Sequence, residues 1–172
     1  MRYRLELRNY CADSIIEHES VSRVLQEMSD FFLKDQVVVV TGAAGGIGRA
    51  ICEDLSEAGA KIVLAGRNAD TLKETADSLK ITDSLIVSTD ITKPESVKSL
   101  LDATLAKFRR IDGLVNNAGG GSSMKKPEET PHEEWVRMID LNLTGTFNCC
   151  IEFGKHMISQ KYGKIVNISS VA

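Results

Sequence analysis

Basic charge is not in excess in this chain. Among its 172 residues, 24 acidic side chains stand against 21 basic ones, a net charge of −3, so nothing draws it electrostatically to nucleic acid. Long apolar runs are missing too. Aliphatic stretches end as early as the one from Val37 to Val40, and Arg2, Arg4, Glu6 and Arg8 crowd the start, which speaks against a membrane span and a secretory signal. The cysteines Cys11, Cys52, Cys149 and Cys150 form no C-x-x-C pair. Adjacent Cys149 and Cys150 point to different sides of any regular element, and the four read as small apolar residues in a reducing cytoplasm. His18, His132 and His156 lack ligand spacing, so no metal site is expected. A hydrophobic share of 42% with 26% charged residues excludes a disordered chain and fits one packed domain.

After residue 35, short β-branched runs alternate with longer segments of helical period. That is the signature of a doubly wound α/β fold, a parallel sheet covered by helices on both faces. Val37–Thr41, Lys61–Ala65, Leu85–Thr89, Gly113–Val115 and Lys164–Ile168 are the expected strands. Ile47, Ile51, Leu55 and Ala58 mark one amphipathic helix, which Gly59 ends; Val97, Leu100, Leu101, Leu105 and Phe108 mark another. Capping boxes at Thr92 with Glu95 and at Thr130 with Glu133 are expected to open two helices, the second starting on Pro131 and running to about Ser159. Residues 1–31 stand apart as an N-terminal extension of unread role, with one amphipathic helix over Val21, Val24, Leu25 and Met28. Met28-Ser29-Asp30-Phe31-Phe32-Leu33 has the look of a natural chain start, so residues 1–27 are expected to be an upstream addition, and 32–172 the domain.

Thr41-Gly42-Ala43-Ala44-Gly45-Gly46-Ile47-Gly48 joins the first strand to the first helix. No Gly-Lys-Ser/Thr follows, which excludes a P-loop. Glycines at 42, 46 and 48 permit a tight turn, close approach of backbone N–H groups to a pyrophosphate, and close helix packing, although a Gly-rich turn can also exist without a ligand. A dinucleotide site needs a discriminating residue at the end of the second strand, about 20 residues on. Leu64-Ala65-Gly66-Arg67-Asn68 offers no carboxylate there for a ribose 2′-hydroxyl. Arg67 instead suits a 2′-phosphate, which favours NADP over NAD, with Asp70 close by as the competing charge.

These residues, with Asp90-Ile91, Asn116-Asn117-Ala118-Gly119, Asn142 in Leu141-Asn142-Leu143, and Ile165-Val166-Asn167-Ile168-Ser169-Ser170, resemble the short-chain dehydrogenase/reductase family in order and spacing from about residue 32 onward. The resemblance implies a Rossmann-type sheet of which 32–172 holds strands one to five. It implies that Gly42, Gly46, Ile47 and Gly48 line the pyrophosphate and that Arg67 sits beside the adenosine ribose. Asp90 would meet the adenine amino group, Ile91 would pack near that ring, and Asn117, Ala118 and Gly119 would lie near the nicotinamide ribose. It implies interconversion of a carbonyl and an alcohol, with Ser170 as the residue bonding the reacting oxygen, Ser169 ranked second, and Asn142 holding a water in a proton relay.

The family's Tyr and the Lys four residues after it are absent. Four positions beyond Tyr3, Tyr10 and Tyr162 stand Leu7, Ser14 and Val166, and an unassisted phenol near pKa about 10 is a poor base at neutral pH. The expectation is a C-terminally truncated copy, inactive alone; the competing reading is a noncatalytic nucleotide-binding or interaction module. Its last strand is expected to be an open edge. Apolar Trp135, Met138, Ile139, Leu143, Phe147 and Ile151 exceed what one sheet-facing stripe must hide, which fits the homo-oligomer that the family commonly forms through this helix. The substrate stays open between the polyol or sugar-acid dehydrogenases and the 3-oxoacyl reductases that the sequence equally resembles.

Overall fold

A computed structural model of the chain describes residues 32–81, 83–121 and 126–169. The N-terminal stretch 1–31, including the helix expected over Val21–Met28, lies outside the described residues, and so does Ser170. Among the described residues five strands form one sheet: β1 (Val37–Thr41), β2 (Lys61–Gly66), β3 (Ser84–Ser88), β4 (Gly113–Asn116) and β5 (Lys164–Asn167). Its order is β3-β2-β1-β4-β5, every neighbouring pair being parallel. Between the strands run α1 (Gly46–Glu57), α2 (Ala69–Ser78), α3 (Pro94–Phe108), and then α4 (His132–Ile139) and α5 (Gly145–Ser159) in one continuous rod.

The four valines of β1 explain why the sheet needs cover on both sides. Val37 and Val39 face a core with Val97 and Leu100 of α3 and Cys149, Phe153 and Met157 of α5. Val38 and Val40 face the other, with Cys52 of α1 and Leu72 and Ala76 of α2. Alternate residues of a strand point to opposite faces, so an unbroken valine run is soluble only when both faces are roofed, each fully buried valine contributing about 1.5–3 kcal/mol. The chain winds outward from β1 through β2 to β3, then crosses back to place β4 on the other side of β1. That reversal opens a crevice beyond the C-terminal ends of β1 and β4, where ligands of such sheets bind.

One buried charge fastens the start of β1. Asp112 Oδ2 accepts the Val37 N–H at 2.8 Å, and both of its oxygens accept from the Arg110 guanidinium at 2.6 and 2.8 Å. The carboxylate is 1% exposed, and its partners offset the cost of burying it.

Several local expectations are corrected. Neither capping box forms. The Thr92 hydroxyl donates to Asp90 Oδ1, and α3 instead starts behind Lys93 with Pro94 in the first turn. The Thr130 hydroxyl donates back to the Lys126 carbonyl, and α4 begins after Pro131. Ile47 does not join the buried stripe of α1; it is 63% exposed, and Gly48 and Cys52 take the inward positions. β3 runs one residue earlier than expected, Ser84–Ser88. The rod from His132 to Ser159 is not a plain α-helix, because Asp140–Thr144 form a wider π turn. Among the described residues β5 pairs with β4 alone, the open edge expected of it, and all four of its residues are exposed.

Candidate functional site

A cleft of about 590 Å³ occupies the crevice beyond β1 and β4. Its floor is the glycine turn after β1. Gly42 takes φ +66°, a conformation open to glycine and strained for other residues. A Cβ on Gly48 would lie 2.2 Å from the Gly42 carbonyl oxygen, whereas one on Gly46 would meet nothing within 4 Å. The first closeness packs α1 against the turn, and the second leaves room above it. Among the described residues no side chain caps the N-terminus of α1. Its first N–H groups and positive dipole end therefore face the cleft, which suits an anion such as a pyrophosphate.

The far wall comes from β4. Asn117 Nδ2 donates to the carbonyls of Thr41 and Gly42 at 3.0 and 3.1 Å. The Thr41 hydroxyl accepts the N–H groups of Asn117 and Ala118, each at 3.0 Å, and donates to the Val115 carbonyl at 3.3 Å. Thr41 thus joins the two strand ends, a role missed in the sequence although Thr41 opens the glycine motif. The available signal is the single hydroxyl that ends the run of four valines and directly precedes Gly42.

At the end of β2, Gly66, Arg67, Asn68 and Thr71 line the cleft. Asn68 Oδ1 is engaged, accepting the N–H groups of Asp70 and Thr71 as the N-cap of α2. Asn before Ala-Asp-Thr is a recognisable cap, overlooked beside Arg67. Asp70 does not reach the cleft wall. At the end of β3, Asp90 Oδ1 accepts the N–H and hydroxyl of Thr92 at 3.0 and 2.8 Å. These bonds, with help from Lys93 and Arg67, hold its carboxyl below the usual carboxylate range despite partial desolvation. Ile91 is buried, wedged against α5 where a Cβ on Gly145 would stand 2.6 Å from its Cδ1. A second hollow of about 420 Å³ adjoins the first through Arg67, Asp90 and Leu141 and extends under α4.

Gly42, Gly46, Ile47, Gly48, Arg67, Asp90, Ile91, Asn117, Ala118 and Gly119 all line the one cleft. Asn142 does not. It sits in the π turn, where Nδ2 donates to the carbonyls of Gly120 and Met138 at 2.9 and 3.0 Å and Oδ1 accepts the Gly120 N–H at 3.1 Å. Its amide thereby staples the rod to the loop after β4, and a Cβ on Gly119 would crowd Oδ1 at 2.8 Å. Ser169 is exposed beyond β5.

Residues 36–172 match the family model described as short chain dehydrogenase. An uncharacterised oxidoreductase of Staphylococcus epidermidis is 40% identical over 81% of this chain, which spans 60% of that protein. An NAD-dependent glycerol dehydrogenase of Listeria innocua is 39% identical over 83% of this chain and 56% of its own length. Among solved structures, a metagenomic short-chain oxidoreductase in complex with NADP superposes with a TM-score of 0.75 at 34% identity, covering 81% of this chain and 64% of that one. The chain thus spans about 60% of the length of the curated relatives it matches. With the glycine turn, the strand-ending Asn117 and the sheet order all in place, the chain belongs to the short-chain dehydrogenase family.

Proposed function

We propose that this chain carries the cofactor-binding part of an NADP(H)-dependent oxidoreductase that interconverts a carbonyl and a secondary alcohol. The observation that carries the cofactor choice lies at the end of β2, where the cleft wall holds Arg67 and no carboxylate. A guanidinium there suits a 2′-phosphate, and a ribose 2′-hydroxyl finds no acceptor acid. The NADP-bound structural relative supports this reading, while the relative named NAD-dependent points the other way.

The residues present fit such a cofactor. The open space over Gly46 and the uncapped N-terminus of α1 would take the pyrophosphate. Asp90 and Ile91 would take the adenine, and Ala118 and Gly119 the nicotinamide ribose. When bound, the nicotinamide supplies or receives the hydride. Ser170 would bond the reacting oxygen, and Asn142 would support the proton relay from the π turn. None of the tyrosines among the 172 residues has a lysine four positions on, so this polypeptide binds the nucleotide without turnover. Among the described residues no helix is long and apolar enough to cross a membrane; the substrate proposed is a small molecule and the place of action the cytoplasm. Exposed Trp135, Leu143, Phe147 and Ile151 on one rod are the face through which a second copy would bind.

Titration with NADPH and NADH tests the cofactor choice. NADPH is expected to bind more tightly, and Arg67→Ala to weaken NADPH alone by about 1.5–3 kcal/mol, the range of a charge-assisted bond. Tighter binding of NADH by the unchanged chain would overturn the reading of Arg67. Oxidation of NADPH by the pure polypeptide with any carbonyl would overturn the expectation of inactivity.

A further inference from the structure

The loop after β3 is held from three directions. Its start is fixed by the Asp90 N–H, which donates to Ser96 Oγ at 3.0 Å. Its bend is fixed by the two bonds from Thr92 to Asp90 Oδ1. The third hold comes from α5, where Asn148 Nδ2 donates to the Ile91 carbonyl at 3.0 Å. Gly145, one turn earlier on the same rod, lets α5 come this close, since a Cβ there would stand 2.6 Å from both Cγ1 and Cδ1 of Ile91.

Two groups on this loop have no partner among the described residues: the Ile91 N–H and the second carboxylate oxygen of Asp90. They are neighbours along the chain, and both residues line the cleft. One can only donate, and the ionised other can only accept. A flat ring with a nitrogen acceptor beside an exocyclic amine matches this pair, as adenine does. Hypoxanthine, with an N–H beside a carbonyl oxygen, mismatches it at both positions, and unpaired or opposed polar groups are what reject a wrong ligand.

We propose that Asn148 is a positioning residue: by holding the Ile91 carbonyl it sets where the Ile91 N–H and the Asp90 carboxylate stand, and so sets the preference for adenine over other purine rings. The proposal rests on reading the cleft as a dinucleotide site. Asn148 itself does not line the cleft; it acts through Ile91. Without its amide, the Ile91 carbonyl loses its tie to α5, and the loop keeps its own short-range bonds, Asp90 N–H to Ser96 Oγ, Lys93 N–H to the Asp90 carbonyl and Thr92 to Asp90 Oδ1, beside side-chain packing. Hydrogen bonds weaken steeply as geometry departs from the optimum, so a small drift of the donor–acceptor pair is enough to blunt discrimination.

The experiment compares binding of NADPH with binding of its hypoxanthine counterpart to the whole 172-residue chain. The unchanged protein is expected to favour NADPH about tenfold or more, the worth of one good hydrogen bond. Asn148→Leu, close in volume but without a donor, is expected to shrink that ratio to about threefold or less, chiefly by weakening NADPH. Asn148→Gln, which keeps the donor, is expected to recover part of it. A merely structural role would lower both affinities by the same factor, and either that result or an unchanged ratio in Asn148→Leu overturns the proposal. If leucine at this position prevents folding, the same ratio in Asn148→Ser, whose shorter side chain falls short of the carbonyl, decides. An unchanged protein that binds neither nucleotide overturns the dinucleotide reading and this proposal with it. One that binds both equally overturns only the assignment of Asp90 and Ile91 to the adenine edge and, with it, the role of Asn148.

Discussion

The side-chain amide of Asn117 donates to the Gly42 carbonyl at 3.1 Å, so the end of β4 holds the shape of the turn that follows β1. The same nitrogen lies 2.6 Å from where a Cβ on Gly48 would stand. Asn117 therefore acts on the cleft through the backbone it braces.

Asn117→Ala removes the donor from two carbonyls, those of Thr41 and Gly42. The expected cost is about 1–3 kcal/mol of folding stability, read as a lower urea midpoint. Nucleotide affinity should fall with it, because the turn that presents the α1 terminus loses its brace.

Two neighbouring glycines should respond in opposite ways. Gly48→Ala drives a methyl into the Gly42 carbonyl and should destabilise the fold by about 1–3 kcal/mol. Gly46→Ala meets open space and should leave stability unchanged or raise it by up to about 1 kcal/mol, while the added methyl stands where a pyrophosphate would approach. Thermal melts beside NADPH titrations separate the two: Gly46→Ala should lose affinity and keep its melting point.

Burial pushes the thiols of Cys52 and Cys149 up to about 12, from an ordinary 9.0. Below pH about 9 both states keep these protons and stability is unaffected. As pH rises toward about 12 the unfolded chain binds fewer protons than the folded one, so stability falls by up to about 1.4 kcal/mol per pH unit for each thiol. Urea midpoints should drop between pH about 9 and about 10.5, and drop less in Cys52→Ala when compared with its own value at neutral pH. Half-buried Cys150 should react with iodoacetamide ahead of both.

Phe147 is 61% exposed on α5, beside Leu143 and Ile151. If this face receives a second copy, Phe147→Glu buries a charge in the contact and should shift the protein to monomer in sedimentation. A monomeric unchanged protein would remove the ground for this reading.

The parallel sheet and the place of the cleft were readable because they rest on local rules. Strand and helix periods differ, and the glycine spacing marks a tight strand-to-helix turn. The capping boxes at Thr92 and Thr130 lose to local competitors: each hydroxyl has an acceptor just upstream, Asp90 two residues before Thr92 and the Lys126 carbonyl four residues before Thr130. Ile47 fits the helical period but leaves the core, because the close approach of Gly48 to Gly42 rotates α1 so that glycine faces inward.

By itself, then, the sequence determined the order of strands and helices, the two-faced burial of β1 and the glycine turn that floors the cleft, while the other cleft residues were named by resemblance to the family. Periodicity and backbone permissiveness are properties of short segments. Tertiary structure alone decided which long-range bonds form: that Asn117 spends its amide on Thr41 and Gly42, that Asn142 staples a π turn to Gly120, and that Asn148 holds Ile91. Each is a hydrogen bond whose partner is set by how elements pack, and a residue's type limits the bonds it can make without choosing among them.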